Sequence, residues 1–147
     1  MWKVIRGSVV GTSHTDLDLP CQDDCYADLL SDSEGNDYLV CLVSDGAGSA
    51  KEGGKGAELA CVTARSCIEA VLENPKSNPL NEGLVQHWIK NIQQAINEAA
   101  NSNSLTARDY ACTILGAVVG PNRSIFFQIG LRFLALVGCQ RASCLKI

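Results

Sequence analysis

The segment Tyr38-Leu39-Val40-Cys41-Leu42-Val43-Ser44 is apolar almost throughout and runs directly into Asp45-Gly46-Ala47-Gly48. A short, bounded run rich in aliphatic and β-branched residues reads as a buried strand. A helix-like pattern follows the glycine turn. The carboxylate at the strand end admits two readings. Asp45 caps the turn that follows it, or it is a ligand for a hard cation, because glycines let backbone oxygens come close to such a site.

The rest of the chain arranges itself around this run. Residues 3–10 carry Val4, Ile5, Val9 and Val10 and read as a first strand. Cys25–Leu30 reads as a second, and the run 38–44 as a third. Ser31-Asp32-Ser33-Glu34-Gly35-Asn36-Asp37 has the turn chemistry of a hairpin connection. Ala57, Ala60, Cys61, Ala64, Ile68, Val71 and Leu72 recur at helical spacing, which predicts a helix over 51–72. Asn74-Pro75 and Asn78-Pro79 stop it and start the next. Val85, Trp88, Ile89, Ile92, Ala95, Ile96 and Ala99 give an amphipathic second helix, with a polar break at 101–104. Trp88 is in its stripe and His87 is off it. A strand over 109–119, a turn at Gly120-Pro121-Asn122-Arg123 and a strand over 124–129 complete the reading. Strands, then two helices, then a strand hairpin predict an α+β layering rather than βαβ units.

A chain of 147 residues is one domain's worth. Its net charge of −4 gives no electrostatic case for nucleic acid or an anionic membrane, and 5% aromatic residues leave little for base stacking. No stretch resembles a signal peptide or reaches transmembrane length, so a cytoplasmic protein is expected. None of the eight cysteines makes a Cys-x-x-Cys pair or stands at zinc-ligand spacing to a histidine. They read as small buried hydrophobes of a reducing compartment. Lys51, Lys55, Gly53, Gly54 and Gly56 invite a nucleotide-loop reading. Gly54-Lys55 is followed by Gly56 rather than Ser or Thr, so the phosphate-loop pattern fails. The plainer reading is close packing of helix on strand.

Upstream of the strand, Gly11-Thr12-Ser13-His14 precedes Leu19-Pro20-Cys21-Gln22-Asp23-Asp24. Cys21-Gln22-Asp23 and Asp45-Gly46-Ala47-Gly48, in this order and separation, resemble the protein phosphatase 2C family of metal-dependent serine/threonine phosphatases. That family pairs an Asn-Glu-Asp or Asn-Gln-Asp type motif with an Asp-Gly-x-Gly motif at a strand end. The variant most similar is a bacterial branch with His and Pro-Cys-Gln-Asp early and Ser-Asp-Gly-Ala-Gly-Ser later. The resemblance covers Trp2 to about Gly130. It implies a β-sandwich flanked by helices in αββα layers, of which this chain carries the first half. It implies two Mn²⁺ or Mg²⁺ ions bridged by Asp45, with the Gly46 carbonyl as a further ligand and Asp23 holding metal-bound water. Metal-activated water would attack the phosphorus of a phosphorylated serine or threonine in a protein substrate. For Asp23 the alternative is an ordinary Asp after a proline turn; Asp24 reads as a solvated neighbour. His14 is a candidate phosphate contact, its alternative being a solvent-facing loop histidine.

The chain departs from the family in several places. Gln22 stands where many members have a metal-binding Glu. The family's phosphate-binding Arg would fall near Asp18. Ala47 stands where some members have a His. Residues 1–130 form the family-like part. Residues 131–147 contain no acidic residue and differ in style from the rest, which leads to the expectation of a shifted reading frame or a foreign junction. The family's later aspartates would lie beyond this point. Two rivals to the phosphatase reading stay open: a non-catalytic pseudophosphatase or interaction fragment, and a nucleotide-binding module resting on the glycine turn alone. A break inside a sheet predicts an open edge, exposed apolar surface, and poor solubility or self-association.

Overall fold

The polar stretch at residues 32–36 folds as its composition requires. The Asp32 carboxylate accepts the backbone N–H groups of Glu34 and Asn36 at 2.9 and 2.8 Å and the Asn36 amide at 2.9 Å. Gly35 takes a φ of 82°, which a glycine adopts without strain. The structure, a computed structural model, describes residues 3–10, 21–74, 80–130 and, as backbone, 134–140. The tight connection joins β1 (Asp23–Ser31) to β2 (Asp37–Asp45), paired antiparallel from Ser31↔Asp37 to Asp23↔Asp45.

Helix α1 (Gly53–Leu72) buries Ala57, Ala60, Cys61, Ala64, Ile68 and Leu72, a continuous stripe of small and aliphatic residues. Helix α2 (Glu82–Ser102) is capped by Asn81, whose side chain accepts the Leu84 N–H at 3.1 Å. A 3₁₀ turn (Ala107–Tyr110) is closed by a capping box between Thr106 and Asp109. β3 (Ile114–Val119), β4 (Arg123–Ile129) and β5 (Leu134–Gln140) then complete one antiparallel sheet in the order β1-β2-β3-β4-β5.

The core lies between one face of this sheet and the helices. Val40, Leu42, Val118 and Phe127 from the sheet meet Ile68, Val85 and Trp88 from the helices. The Trp88 and Phe127 rings meet edge to face, centroids 5.7 Å apart. Gly116 lies opposite Phe127 in the ladder, and the Phe127 ring fills the place of its missing side chain. Trp88 is wholly buried and His87 exposed, as their positions on the helical stripe predict.

The α+β order, the hairpin and both helices match expectation, and four readings need correction. Residues 3–10 form no strand: a run with strand propensity still needs a partner, and Ile5 and Val9 instead stand 96% and 86% exposed. The strand expected over 109–119 begins only at Ile114, because the Thr106 capping box commits the preceding residues to a 3₁₀ turn. The polar break expected at 101–104 starts late, since α2 continues to Ser102. Among the described cysteines only Cys61 is fully buried; Cys21, Cys25, Cys41, Cys67 and Cys112 are half-buried. Of the expected sandwich, the described residues show one sheet with both helices on one of its faces. Within the tail, residues 134–140 pair with β4 from Ile129↔Leu134 to Arg123↔Gln140.

Candidate functional site

Strand register brings two of the expected site residues together. The 32–36 turn sets the hairpin pairing, and that pairing puts Asp23 directly across from Asp45 at the far end of β1 and β2. Directly paired residues share a face of the sheet, so both carboxylates project on the side away from the helices. Both residues are exposed. Like charges placed opposite each other on adjacent strands destabilise a sheet. A hard divalent cation converts that repulsion into attraction, and carboxylate and carbonyl oxygens are the donors it takes. The residues present therefore fit such an ion. Among the described residues no group of three or more His, Cys, Asp or Glu side chains is gathered.

The backbone around Asp45 is held from three directions. The Gly46 N–H donates to the Gln22 carbonyl at 3.0 Å, tying the Asp-Gly turn to the residue just before Asp23. The Thr113 N–H donates to the Asp45 carbonyl at 2.8 Å, and the Asp45 N–H donates to Thr113 Oγ1 at 3.3 Å. The Ala47 N–H donates to the Ala111 carbonyl at 2.8 Å, beside the Gly46↔Cys112 bridge. A Cβ on Gly46 would run into the Gly53 backbone and lie 2.7 Å from the Gln22 oxygen, so only glycine fits. Gly53 and Gly56 serve the same purpose on the helix side. A Cβ on Gly53 would come 2.8 Å from the Ala47 carbonyl, and one on Gly56 would strike Tyr110. The glycines of the turn thus serve close packing of α1 on the strand end, as the plainer reading expects.

The layer beneath the carboxylates is apolar and neutral. Ser44 is fully buried, and its hydroxyl donates to the Thr113 carbonyl. Burial, reinforced by the charge of Asp24, pushes the Cys61 thiol up to about 12. Burial also raises Cys112, against a smaller opposing effect of its hydrogen bond with Ser44. Both thiols are uncharged at neutral pH and serve as packing.

Asp23, Asp45 and Gly46 therefore meet at one corner. Asp24 has the opposite parity on β1, toward the helix side. His14 lies outside the described residues, as does Asp18. Thr113, Ser44 and the Gln22 carbonyl hold the corner and escape a reading of motifs. A buried-parity serine within an apolar strand is a signal for the first two, because its hydroxyl requires a nearby acceptor. No helix among the described residues is long and apolar enough to cross a membrane.

Comparison with known proteins gives a family match whose range includes both motifs. The family model described as protein phosphatase 2C matches residues 10–140. Serine/threonine-protein phosphatase 3 of Escherichia coli (strain K12) is 36% identical over 129 residues, which cover 88% of this chain and 51% of that protein. The chain spans about half the length of this curated relative. No solved structure matches.

Proposed function

Because the chain belongs to the protein phosphatase 2C family, we propose that it carries the Asp-Gly half of a metal-dependent site for hydrolysing phosphoserine and phosphothreonine in proteins. The observation that carries this is the pairing of Asp23 with Asp45 at the end of a hairpin whose register is set by a tight turn. Asp45, Asp23 and the Gly46 carbonyl would hold Mn²⁺ or Mg²⁺. Bound there, such ions clamp phosphoryl oxygens and lower the pKa of water. The chain's own contribution is position. The hydrogen bonds from Gly46 to Gln22 and between Asp45 and Thr113 fix the backbone that bears the carboxylates, so little ordering remains when a ligand arrives. His14 is assigned to contact the phosphate, and the protein is assigned to the cytoplasm.

A second reading, a non-catalytic fragment that binds a phosphorylated partner, draws support from the small donor set among the described residues. Two carboxylates are few for a pair of hard cations, which take six or more ligands each.

The experiment is manganese-dependent phosphate release from a phosphothreonine peptide, run beside Mn²⁺ binding by calorimetry. The expected result is Mn²⁺ binding and phosphate release by the natural chain, with both lost in Asp45→Asn. Binding without release favours the second reading. Absence of Mn²⁺ binding overturns the site itself.

A further inference from the structure

Helices α1 and α2 border a cavity of about 390 Å³ whose polar lining includes Thr63, Ser66 and Cys67 from α1 and His87 and Asn91 from α2. No Lys, Arg, Asp or Glu is among its described lining residues. One amide gathers two of these side chains to itself. Asn91 Nδ2 donates to Cys67 Sγ at 3.3 Å and lies 3.2 Å from His87 Nε2. An NH₂ group only donates, so sulfur and imidazole nitrogen both meet it as acceptors. Their lone pairs therefore converge on one point from two helices. The two hydrogens of a planar amide diverge by about 120°, which puts sulfur and nitrogen about 5.6 Å apart. Cys67 is half-buried and His87 exposed, so the point is open to solvent. The layering implied by the family, helices outside two packed sheets, leaves this cavity in an outer layer.

We propose that Cys67, His87 and Asn91 form a zinc site between the two helices, separate from the acidic corner. A thiolate sulfur and an imidazole nitrogen are donors that a borderline-soft cation takes, whereas the hard cations of the corner take oxygen. Zinc bonds of about 2.3 Å to sulfur and about 2.1 Å to nitrogen bring the pair to about 3.6 Å, so each side chain moves in by about 1 Å. The amide turns over, so that its oxygen rather than its nitrogen faces the ion. Water entering through the cavity fills the fourth position. Three protein ligands and one exchangeable water make an open site rather than a closed structural one. Binding displaces the thiol proton: Cys67–SH and Zn²⁺ give a Cys67–S–Zn bond and one H⁺ released to solvent. Local spacing does not reveal this set, because Cys67 and His87 belong to different helices.

Titration of the reduced natural chain with Co²⁺, a spectroscopic stand-in for zinc, tests this. A thiolate-to-cobalt charge-transfer band is expected, saturating at one ion per chain and erased by added Zn²⁺. Asp45→Asn is expected to leave the band unchanged, which separates this site from the acidic corner. Cys67→Ser is expected to lose the band with an unchanged far-ultraviolet circular dichroism spectrum. His87→Gln is expected to weaken binding by more than the roughly tenfold that loss of an outer partner costs. If Cys67→Ser fails to fold, His87→Gln reads the same site from an exposed position. Absence of the band overturns the proposal. So does a band that survives in Cys67→Ser, which would place the ion on another of the eight cysteines, and so does a His87→Gln chain that binds as tightly as the natural one.

Discussion

Gly46 shows how little freedom the acidic corner has at the scale of one residue. Its missing side chain is where the Gly53 backbone and the Gln22 carbonyl pass, and its N–H is tied to the second of these. A single methyl group must push apart α1, the entry to β1 and the end of β2. Gly46→Ala is expected to destabilise the fold by about 1–3 kcal/mol, as overpacking of a tight site does. It should also weaken Mn²⁺ binding, since the carboxylate-bearing backbone is what moves. Urea unfolding followed by tryptophan fluorescence measures the first effect and calorimetry the second. A variant with unchanged stability would mean that the three segments are looser than their spacing indicates. Asp45 was legible as a candidate ligand from its place between an apolar run and a glycine turn. Its partner across the ladder was less so: Asp23 faces Asp45 only because of the hairpin register, and that depends on how residues 32–36 close. Thr113 and Ser44 act through bonds spanning 68 and 69 residues of sequence, which local pattern does not reveal.

At the scale of elements, the two helices differ in how they begin. Asn81 caps α2 through its side chain, whereas α1 starts behind Glu52 with no side-chain cap and enters through glycines. The start of α1 is instead held by its neighbours, the Glu52 N–H donating to the Asp109 carbonyl at 2.7 Å. Asn81→Ala is therefore expected to cost about 1 kcal/mol, local to α2, and to increase hydrogen exchange in its first turn. Asn81→Gly should cost only a few tenths of that. Equal losses for both would remove the side-chain cap as the cause. The helices were legible from the spacing of their apolar residues and from the Asn-Pro pairs that separate them in sequence. Residues 3–10 were misread because β propensity describes fitness for a pleated surface and says nothing about whether a neighbouring strand is there to pair with. The 3₁₀ turn was misread although its signal was present: Thr106 followed three residues later by Asp109 is a capping-box pattern, outweighed by the apolar run that follows it.

For the molecule as a whole, the ionisable groups in and around the core set an upper limit on pH. Burial raises Cys61 to about 12 and also raises Cys112, Tyr26 and Tyr38. In each case the folded state holds its proton more tightly than the unfolded chain does. Their contribution is fully present below pH 9, where the unfolded thiols are still protonated. It is lost as pH rises toward the folded values. Urea midpoints are expected to fall steeply above about pH 9, and less steeply in Cys61→Ala. A natural chain with a flat alkaline profile would show that these groups meet water in the folded state.

The place of β2 in the sheet carries a consequence for how the chain is made. β2 lies between β1, which precedes it by a short turn, and β3, which begins at Ile114. During synthesis the first hairpin leaves the ribosome with the inner edge of β2 unpaired. It must wait for two helices to be translated before its neighbour arrives. Small glycine- and alanine-rich contacts allow α1 to dock early and shelter one side of that hairpin. The Asp-Gly corner is complete only when Thr113 comes into place, so the timing of its assembly is governed by the slowest long-range closure in the sheet.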